Sequence, residues 1–303
     1  MSSSYSHIAV MPSETLTGLD VQEGLIYFDC TLGGAGHSKM ILEQLNGTGH
    51  LYSFDQDINV IQSHQEEATQ HENWTLVHSN FENIPEYCKE NNIEITGGLL
   101  MDLGLSSIQL DDPERGFSYQ HESQLDMRMD TDIEISAYEV INHFKEKEIA
   151  DIFYNYAEER LSRQIASKII EKRPIETSKE LADLIKEIYW KRYHKHSKTH
   201  PATKCFQALR IYVNRELEVL ENLLEAIPGL LSENAKVVII SFHSLEDRVA
   251  KLFFKKKSDD YKFELDFKKP LEASREEMKV NSRSRCAKLR AGKFTVKENN
   301  LCQ

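Results

Sequence analysis

The 303-residue chain has no uninterrupted run of 18 apolar residues, which argues against a membrane-spanning helix. Its first residues, Met1-Ser-Ser-Ser-Tyr-Ser-His7, contain neither an apolar segment nor an Arg-rich amphipathic stretch, so they read as neither a signal nor a transit peptide. Cysteine is scarce and scattered: Cys30, Cys88, Cys205, Cys286 and Cys302 include no C-x-x-C pair. That odd, dispersed set argues against a disulfide framework and against a zinc site, and no metal is expected. A reducing, cytoplasmic compartment is the simplest fit. Net positive charge is lacking too, since 37 Lys and Arg face 49 Asp and Glu for a net charge of −12. That balance argues against an indiscriminate nucleic-acid coat.

The remaining composition, 28% charged and 40% hydrophobic, is that of a globular protein. One stretch organises the chain: Leu25-Ile-Tyr-Phe-Asp29-Cys-Thr31-Leu-Gly33-Gly34-Ala35-Gly36-His37-Ser38, leading into Lys39-Met-Ile-Leu-Glu-Gln-Leu45. An apolar run, a glycine cluster and a helix-forming segment predict a buried strand, a tight turn and a helix. Glycines let the backbone approach a ligand closely, and the helix start offers it unpaired N–H groups. An ordinary strand-to-helix connection would look the same. The next strand, His50-Leu-Tyr-Ser-Phe54, ends in Asp55, 19 residues past Gly36. At that spacing an acidic side chain accepts hydrogen bonds from a ribose in βαβ nucleotide sites. Turn and acid together point to a ribose-bearing cofactor.

Trp74-Thr-Leu-Val-His78 predicts a third strand, followed by Ser79-Asn80-Phe81. Phe81 there would flank an adenine ring or cover the next helix. Gly97-Gly-Leu-Leu-Met-Asp102 predicts a fourth strand, apolar throughout as a strand covered on both faces should be. It runs into Asp102-Leu-Gly104-Leu-Ser106-Ser107-Ile-Gln109-Leu-Asp111, a polar constellation at the ligand edge of a sheet. The alternative is an Asp that caps the following turn.

From about Asp112 to Thr203 the α/β rhythm stops and helical stretches follow, one of them opened by Thr177-Ser178-Lys-Glu180. The expected organisation is therefore an α/β domain in two parts, 1–111 and 204–303, with a helical domain of 112–203 inserted and a basic tail at the end. Within the second part, Phe206, Leu209, Val213, Leu217, Leu220, Leu224 and Ile227 recur at helical spacing and predict one long helix of about six turns, ended by Pro228-Gly229. Ala235–Ser241 predicts a fifth strand. Ser244 with Asp247 reads as a capping box, and His243 as a structural residue at a strand end. The last 45 residues look charged and irregular, with Phe294-Thr-Val296 as a closing strand.

Positive charge is local. Residues 279 to 293 carry Lys279, Arg283, Arg285, Lys288, Arg290 and Lys293 with no acid. Lys191, Arg192, Lys195 and Lys198 interleave with Tyr193, His194 and His196, and Lys255, Lys256 and Lys257 form a third run. Basic patches on an acidic body suit a protein that finds one RNA site, although any single patch is ordinarily a solvated face.

Taken together, Asp29-Cys-Thr-Leu-Gly-Gly-Ala-Gly-His-Ser38, Asp102–Asp111, Glu114-Arg-Gly-Phe-Ser118, Leu125-Asp-Met-Arg-Met-Asp130, His200-Pro-Ala-Thr203, Phe206-Gln-Ala-Leu-Arg-Ile211, Ser241–Arg248 and Asn281–Arg290 resemble the bacterial small-subunit rRNA cytosine-N4 methyltransferases, the MraW-type enzymes. The segments run in family order from His7 to Arg290. The resemblance implies a class I Rossmann-like, S-adenosylmethionine-dependent methyltransferase with an inserted all-helical domain. It implies methyl transfer to the exocyclic N4 of a cytidine in the decoding region of 16S ribosomal RNA, free or in the small ribosomal subunit. Carried over, the cofactor residues are Ala35, Gly36, His37, Asp55, Phe81, Asp102 and Gln109.

Three positions depart from the family. Ala35 replaces a usual Gly, which should be tolerated only at negative φ. Gly97 stands where an Asp often precedes the fourth strand, and Ala157 replaces a Gly before Glu158-Glu159. For the substrate side the candidates are Asp126, Arg128 and Asp130, whose alternative reading is an ion-paired structural loop. Competing readings of the whole are an oxidoreductase using NAD in the same turn, and a non-catalytic assembly factor that binds small-subunit rRNA. A mitochondrial relative is disfavoured by the missing transit peptide, and a homodimer is left open.

Overall fold

The computed structural model describes residues 9–120, 122–194, 200–256 and 261–296, without the side chains of Ser107 and Asp111. Lys195, His196, Lys198 and Lys257 of the basic runs, and Cys302, lie outside the described residues. The chain divides into two compact units, one of residues 1–106 and 217–303, the other of residues 107–216. The expected insertion limits, 112 and 203, both fall inside the second unit.

The first unit opens with α1 (Pro12–Leu19), then alternates β1 (Ile26–Asp29), α2 (Gly36–Leu45), β2 (His50–Asp55), α3 (Ile58–Ala68), β3 (Trp74–His78), α4 (Ile84–Asn91) and β4 (Gly98–Asp102). The second unit contains α5 (Ser107–Asp111), α6 (Ala137–His143), α7 (Glu146–Ala157), α8 (Ser162–Lys172), α9 (Ser178–Tyr193) and α10 (Ala202–Val213). The chain then returns through α11 (Glu216–Ala226), β5 (Lys236–Ser241), α12 (Ser244–Lys255), β6 (Tyr261–Leu265), β7 (Leu271–Glu272), α13 (Arg275–Val280) and β8 (Lys288–Val296).

Among the described residues the strands form one eight-stranded sheet of order β3-β2-β1-β4-β5-β8-β6, with β7 also on β8. The first five are parallel; β8 runs antiparallel to β5 and β6. The period of two along each strand divides its side chains between two apolar layers. Phe28, Phe54, Leu99, Met101, Val237 and Ile239 pack with Ile84 of α4, Leu220 and Leu223 of α11 and Phe253 of α12. Tyr27, Leu51, Leu100, Val238 and Ile240 pack with Leu19, Ile41, Leu45 and Val60 of α1, α2 and α3. Each such fully buried side chain contributes about 1.5–3 kcal/mol, enough to hold the strand ends rigidly beneath a site. Gly97 has a local cause, because a Cβ there would meet the ring of buried Tyr27 at 2.3 Å. Gly97→Asp is expected to lower the unfolding midpoint sharply, measured by denaturant titration.

Three expectations are corrected. The stripe from Phe206 to Ile227 is two helices, α10 and α11, because Arg215 takes φ +50° and Asn214 turns inward. The apolar spacing persists across the break, so periodicity alone could not show it. Buried Asn214 donates from Nδ2 to the carbonyls of Met127 (2.8 Å) and Arg210 (2.9 Å), and accepts the Met129 N–H at Oδ1 (2.7 Å). Asn214→Ala would leave Met129 N–H and Met127 C=O without these partners, at about 1–3 kcal/mol each; a fall in the urea midpoint with unchanged m-value checks this.

The last residues are not irregular. The closing strand expected at Phe294–Val296 is the end of β8, which begins six residues earlier because its cations interrupt the apolar positions; β6 is not visible in the sequence because it buries Phe263 alone among five residues. The α12 cap is shifted by one residue: His243 Nδ1 accepts the Glu246 N–H at 3.3 Å, and Glu246 Oε2 accepts the N–H of Phe242 (2.8 Å) and His243 (3.3 Å). The helix start expected at Thr177 forms, and Thr177 with Glu180 closes it as a capping box. Ala157 ends α7 as an ordinary helical residue; the left-handed position is Glu158, so Ala157 itself needs no glycine.

Candidate active site at the carboxyl edge of the sheet

The carboxyl ends of β3, β2, β1 and β4 lie side by side, and the chain leaves β1 toward β2 on one side and returns to β4 on the other. The crevice at such a reversal is where open α/β sheets hold ligands. Asp29, Asp55 and Asp102 close β1, β2 and β4, and Phe81 follows β3.

The glycine corner rests on a buried polar network. Asp29 accepts the Thr31 N–H at Oδ1 (3.1 Å) and the Ser38 hydroxyl at Oδ2 (2.6 Å). Ser38 and Ser53 hydroxyls are 2.9 Å apart, and Trp74 Nε1 donates to Ser53 at 2.9 Å. Burial pushes the Asp29 carboxyl up, with the Ser38 hydrogen bond opposing. Thr31 Oγ1 accepts the Asp102 N–H at 2.8 Å and so fixes the end of β4 to the corner. Thr31, Ser38, Ser53 and Trp74 were not singled out from the sequence, since a hydroxyl in a strand or turn looks alike whether it is a strut or solvated.

Asp55 belongs to the corner. Its Oδ2 accepts the Gly33 N–H (3.0 Å) and its Oδ1 the Asp57 N–H (2.9 Å). Burial raises its pKa to about 6 despite those two donors. Each oxygen keeps a lone pair for a further donor, as a ribose diol requires. Gly33 takes φ +48°, where only glycine is unstrained, and its carbonyl meets a His64 ring nitrogen at 3.1 Å.

Ala35 contradicts the condition set for it, since its φ is +57°. The left-handed conformation costs about 1–2 kcal/mol for a residue with a Cβ. Its methyl is fully buried in the apolar layer under the corner, which returns about 0.8 kcal/mol. Glycine would also lose more chain entropy on folding, about 0.4–1 kcal/mol. The terms nearly cancel, so Ala35→Gly is expected to leave the melting temperature within about 3 °C, by calorimetry. Gly36 has a separate reason, a Cβ there lying 3.0 Å from that of Ala9.

His37, in the first turn of α2, is buried, with Nε2 3.4 Å from Asp102 Oδ2. Burial works to lower its pKa, but Asp102, with help from Asp29 and Glu277, leaves it raised. Both His37 ring nitrogens and Asp102 Oδ1 are buried without a hydrogen-bond partner. Such groups are costly unless something supplies the missing bonds. A ligand bearing an ammonium, a carboxylate and a ribose supplies them, and the unpaired N–H groups of α2 suit its carboxylate. The corner therefore fits S-adenosylmethionine. Phe81 is half-buried against the apolar layer and keeps part of its ring exposed.

Gln109 is buried on α5 in the second unit. That unit also holds Asp126, Arg128 and Asp130. Arg128 donates through Nε (2.9 Å) and Nη2 (2.8 Å) to the Asp126 carboxylate, and through Nη1 to the carbonyls of Thr131 (2.7 Å) and Ile133 (2.8 Å). Burial works to raise the Asp126 carboxyl, but the Arg128 hydrogen bonds hold it below the usual range. Asp130 Oδ1 accepts the Asp132 N–H at 2.9 Å. Asn214, absent from the sequence-based candidates, grips this loop on either side of Arg128.

The basic run 279–293 is in part neutralised within the first unit. Arg290 Nε lies 2.9 Å from Asp247, Lys288 Nζ 3.6 Å from Asp247 and Lys293 Nζ 3.6 Å from Glu264. The acids come from α12 and β6, which the local sequence could not show.

The parallel sheet with its antiparallel β8 and the acid-lined glycine corner fit a class I Rossmann-like methyltransferase that depends on S-adenosylmethionine. The family model described as "MraW methylase family" matches residues 4–295. "Ribosomal RNA small subunit methyltransferase H" of Clostridium botulinum (strain 657 / Type Ba4) is 43% identical over 304 residues, covering 94% of this chain and 98% of that protein. The protein of the same name from Fusobacterium nucleatum subsp. nucleatum is 44% identical over 303 residues, covering 94% and 95%. Among solved structures, an rRNA methylase from Streptococcus thermophilus aligns distantly, with a TM-score of 0.43 and 11% identity, covering 95% of this chain and 99% of that one. The chain belongs to the MraW methylase family. Membership sets aside the oxidoreductase reading of the glycine corner. Among the described residues, no helix is long and apolar enough to cross a membrane.

Proposed function

We propose that the protein transfers a methyl group from S-adenosylmethionine to the exocyclic N4 of a cytidine in the decoding region of 16S ribosomal RNA, acting in the cytoplasm. The observation that carries this reading is the set of buried polar atoms without a hydrogen bond on His37 and Asp102, which face each other at 3.4 Å, on the same sheet edge as the Asp55 carboxylate. The relatives' shared name supports small-subunit RNA as the substrate.

The cofactor, when bound, supplies a methyl group activated on a sulfonium. Asp55 holds the ribose, Phe81 flanks the adenine, and His37 with the α2 start faces the carboxylate. Asp102 would face the ammonium, with Ala35 and Gly36 shaping the corner; Gln109, on α5 of the second unit, is the further cofactor residue of this reading. The cytosine amine is a weak nucleophile because its lone pair is delocalised, so positioning supplies most of the rate and a proton acceptor the rest. The target base must leave its stack to be methylated. Asp126, Arg128 and Asp130 lie on the substrate side of this reading; the Asp126–Arg128 pair and the Asp130 bond to the Asp132 N–H make them positioning residues of the loop.

The test is mass-spectrometric mapping of small-subunit RNA incubated with protein and cofactor, the RNA taken from cells lacking this protein. One added methyl on a single decoding-region cytidine is expected. Saturable RNA binding with no methyl gained would instead identify an assembly factor.

A further inference from the structure

We propose that the carboxyl end of α9 is a stacking surface for single-stranded RNA, with Trp190 and Tyr193 as the rings that hold bases. This rests on the RNA-methylating reading above and adds where the strand is gripped. Along most of its length α9 is an ordinary amphipathic helix that buries Leu181, Ala182 and Ile185. In its last turn the pattern changes. Trp190 is 48% and Tyr193 46% exposed, and Lys186, Lys191, Arg192 and His194 around them are exposed as well. Among the described residues the exposed aromatic side chains are Tyr154, Trp190 and Tyr193. Two of the three sit here, three residues apart, and so share one helix face.

Each ring is propped by a neighbour. The Trp190 and His194 ring centres are 6.4 Å apart, and those of Tyr189 and Tyr193 are 5.6 Å apart. Residues 186–194 carry three cations to one carboxylate, Glu187, which pairs with Lys191. Lys168 and Lys172 of α8 also act on Glu187, with Lys168 itself paired to Glu171. The negative end of the helix dipole accounts for cations in the last turn. It gives no account of two large rings left half-exposed among them. Aromatic faces flanked by cations are how proteins hold unpaired nucleotides: bases stack in any sequence, and the cations follow the phosphates. A duplex keeps its base faces stacked and cannot use such rings. On a chain of net charge −12 a polyanion needs such a local foothold. The run at 279–293 is less able to supply one, because three of its cations are paired with Asp247 and Glu264.

The two tryptophans make the test direct, since Trp74 is buried and Trp190 half-exposed. Full-length protein is titrated with a single-stranded oligoribonucleotide of about 12 nucleotides, a length within the usual site sizes. Saturable quenching of tryptophan fluorescence is expected, with far weaker quenching by a duplex of the same length. By anisotropy of labelled RNA, Trp190→Ala/Tyr193→Ala should bind at least about tenfold more weakly, the weight of one stacked base, and Trp190→Phe/Tyr193→Phe within about twofold of the original. In steady state the alanine variant should show the loss in KM for RNA, with KM for S-adenosylmethionine unchanged. Equal quenching by duplex, no quenching at all, or wild-type RNA affinity in the alanine variant overturns the proposal. Methyl transfer with RNA binding indifferent to both rings defeats this inference alone; ring-dependent RNA binding without methyl transfer defeats the function reading and leaves this surface standing.

Discussion

Replacing Asp55 with asparagine is expected to weaken S-adenosylmethionine binding at least about a hundredfold, read by isothermal titration. The magnitude follows from the two things Asp55 does at once. Its oxygens accept the Gly33 and Asp57 N–H groups at 3.0 and 2.9 Å, and the same oxygens are placed to receive the ribose hydroxyls. Asparagine keeps one oxygen and turns an NH2 toward one of those backbone donors. The corner loses an acceptor, at about 1–3 kcal/mol, and the ribose loses a charge-assisted bond of similar weight. A factor of a hundred is about 2.7 kcal/mol, within that sum. Asp55→Glu fares no better, because the added methylene moves the two oxygens off the Gly33 and Asp57 N–H groups.

Acidity adds a second signature. Because burial raises the Asp55 pKa to about 6, the cofactor-free protein takes up a proton there at mildly acidic pH. Binding the ribose favours the carboxylate, so affinity should be flat above pH 6 and fall as pH drops below it, by up to about tenfold per unit. The sign for stability is opposite. A carboxyl whose folded pKa exceeds its unfolded value of about 3.9 favours the folded state when protonated, so this group's contribution declines as pH rises from about 4 to about 6. Asp55→Asn should abolish both slopes.

The second large effect falls on stability. Asp29→Ala should lower the melting temperature by roughly 6–12 °C, from about 3 kcal/mol at 2–4 °C per kcal/mol. The alanine leaves the Thr31 N–H unpaired and takes from Ser38 its 2.6 Å carboxylate partner. The cost is moderated because a buried charge, already disfavoured by desolvation, is removed with it. Asparagine accepts the Thr31 N–H and can donate to Ser38, whose own proton then turns to Ser53 at 2.9 Å. Asp29→Asn should therefore stay within about 1.5 kcal/mol of the original protein, the net worth of one hydrogen bond. If alanine and asparagine melt together, the network under the corner does not support it.

How much of this was legible follows from the range of each signal. The corner, Asp55 and Asp102 could be read because glycine clusters, buried strands and strand-end acids occupy contiguous stretches whose order dictates a βαβ unit. The helical character of the inserted region was equally plain, since amphipathic spacing needs only one helix at a time. What escaped depends on distant partners. Arg290 and Lys288 read as free cations until Asp247 is brought beside them. The α10–α11 break hid behind a stripe that resumes in register, and its cause, Asn214, acts on residues 85 and 87 positions away. Ala35 misled differently: its sequence context shows a missing glycine, but the burial that offsets the strain exists only in the folded layer.

A crystal structure of the protein with S-adenosylhomocysteine tests the central claim most directly. Both ribose hydroxyls should lie within about 2.6–3.2 Å of the Asp55 carboxylate, above the Gly33–Gly36 corner, with the amino-acid end at His37 and Asp102. A nucleoside bound elsewhere, or an Asp55 carboxylate turned to water while His37 and Asp102 stay unpartnered, would contradict it.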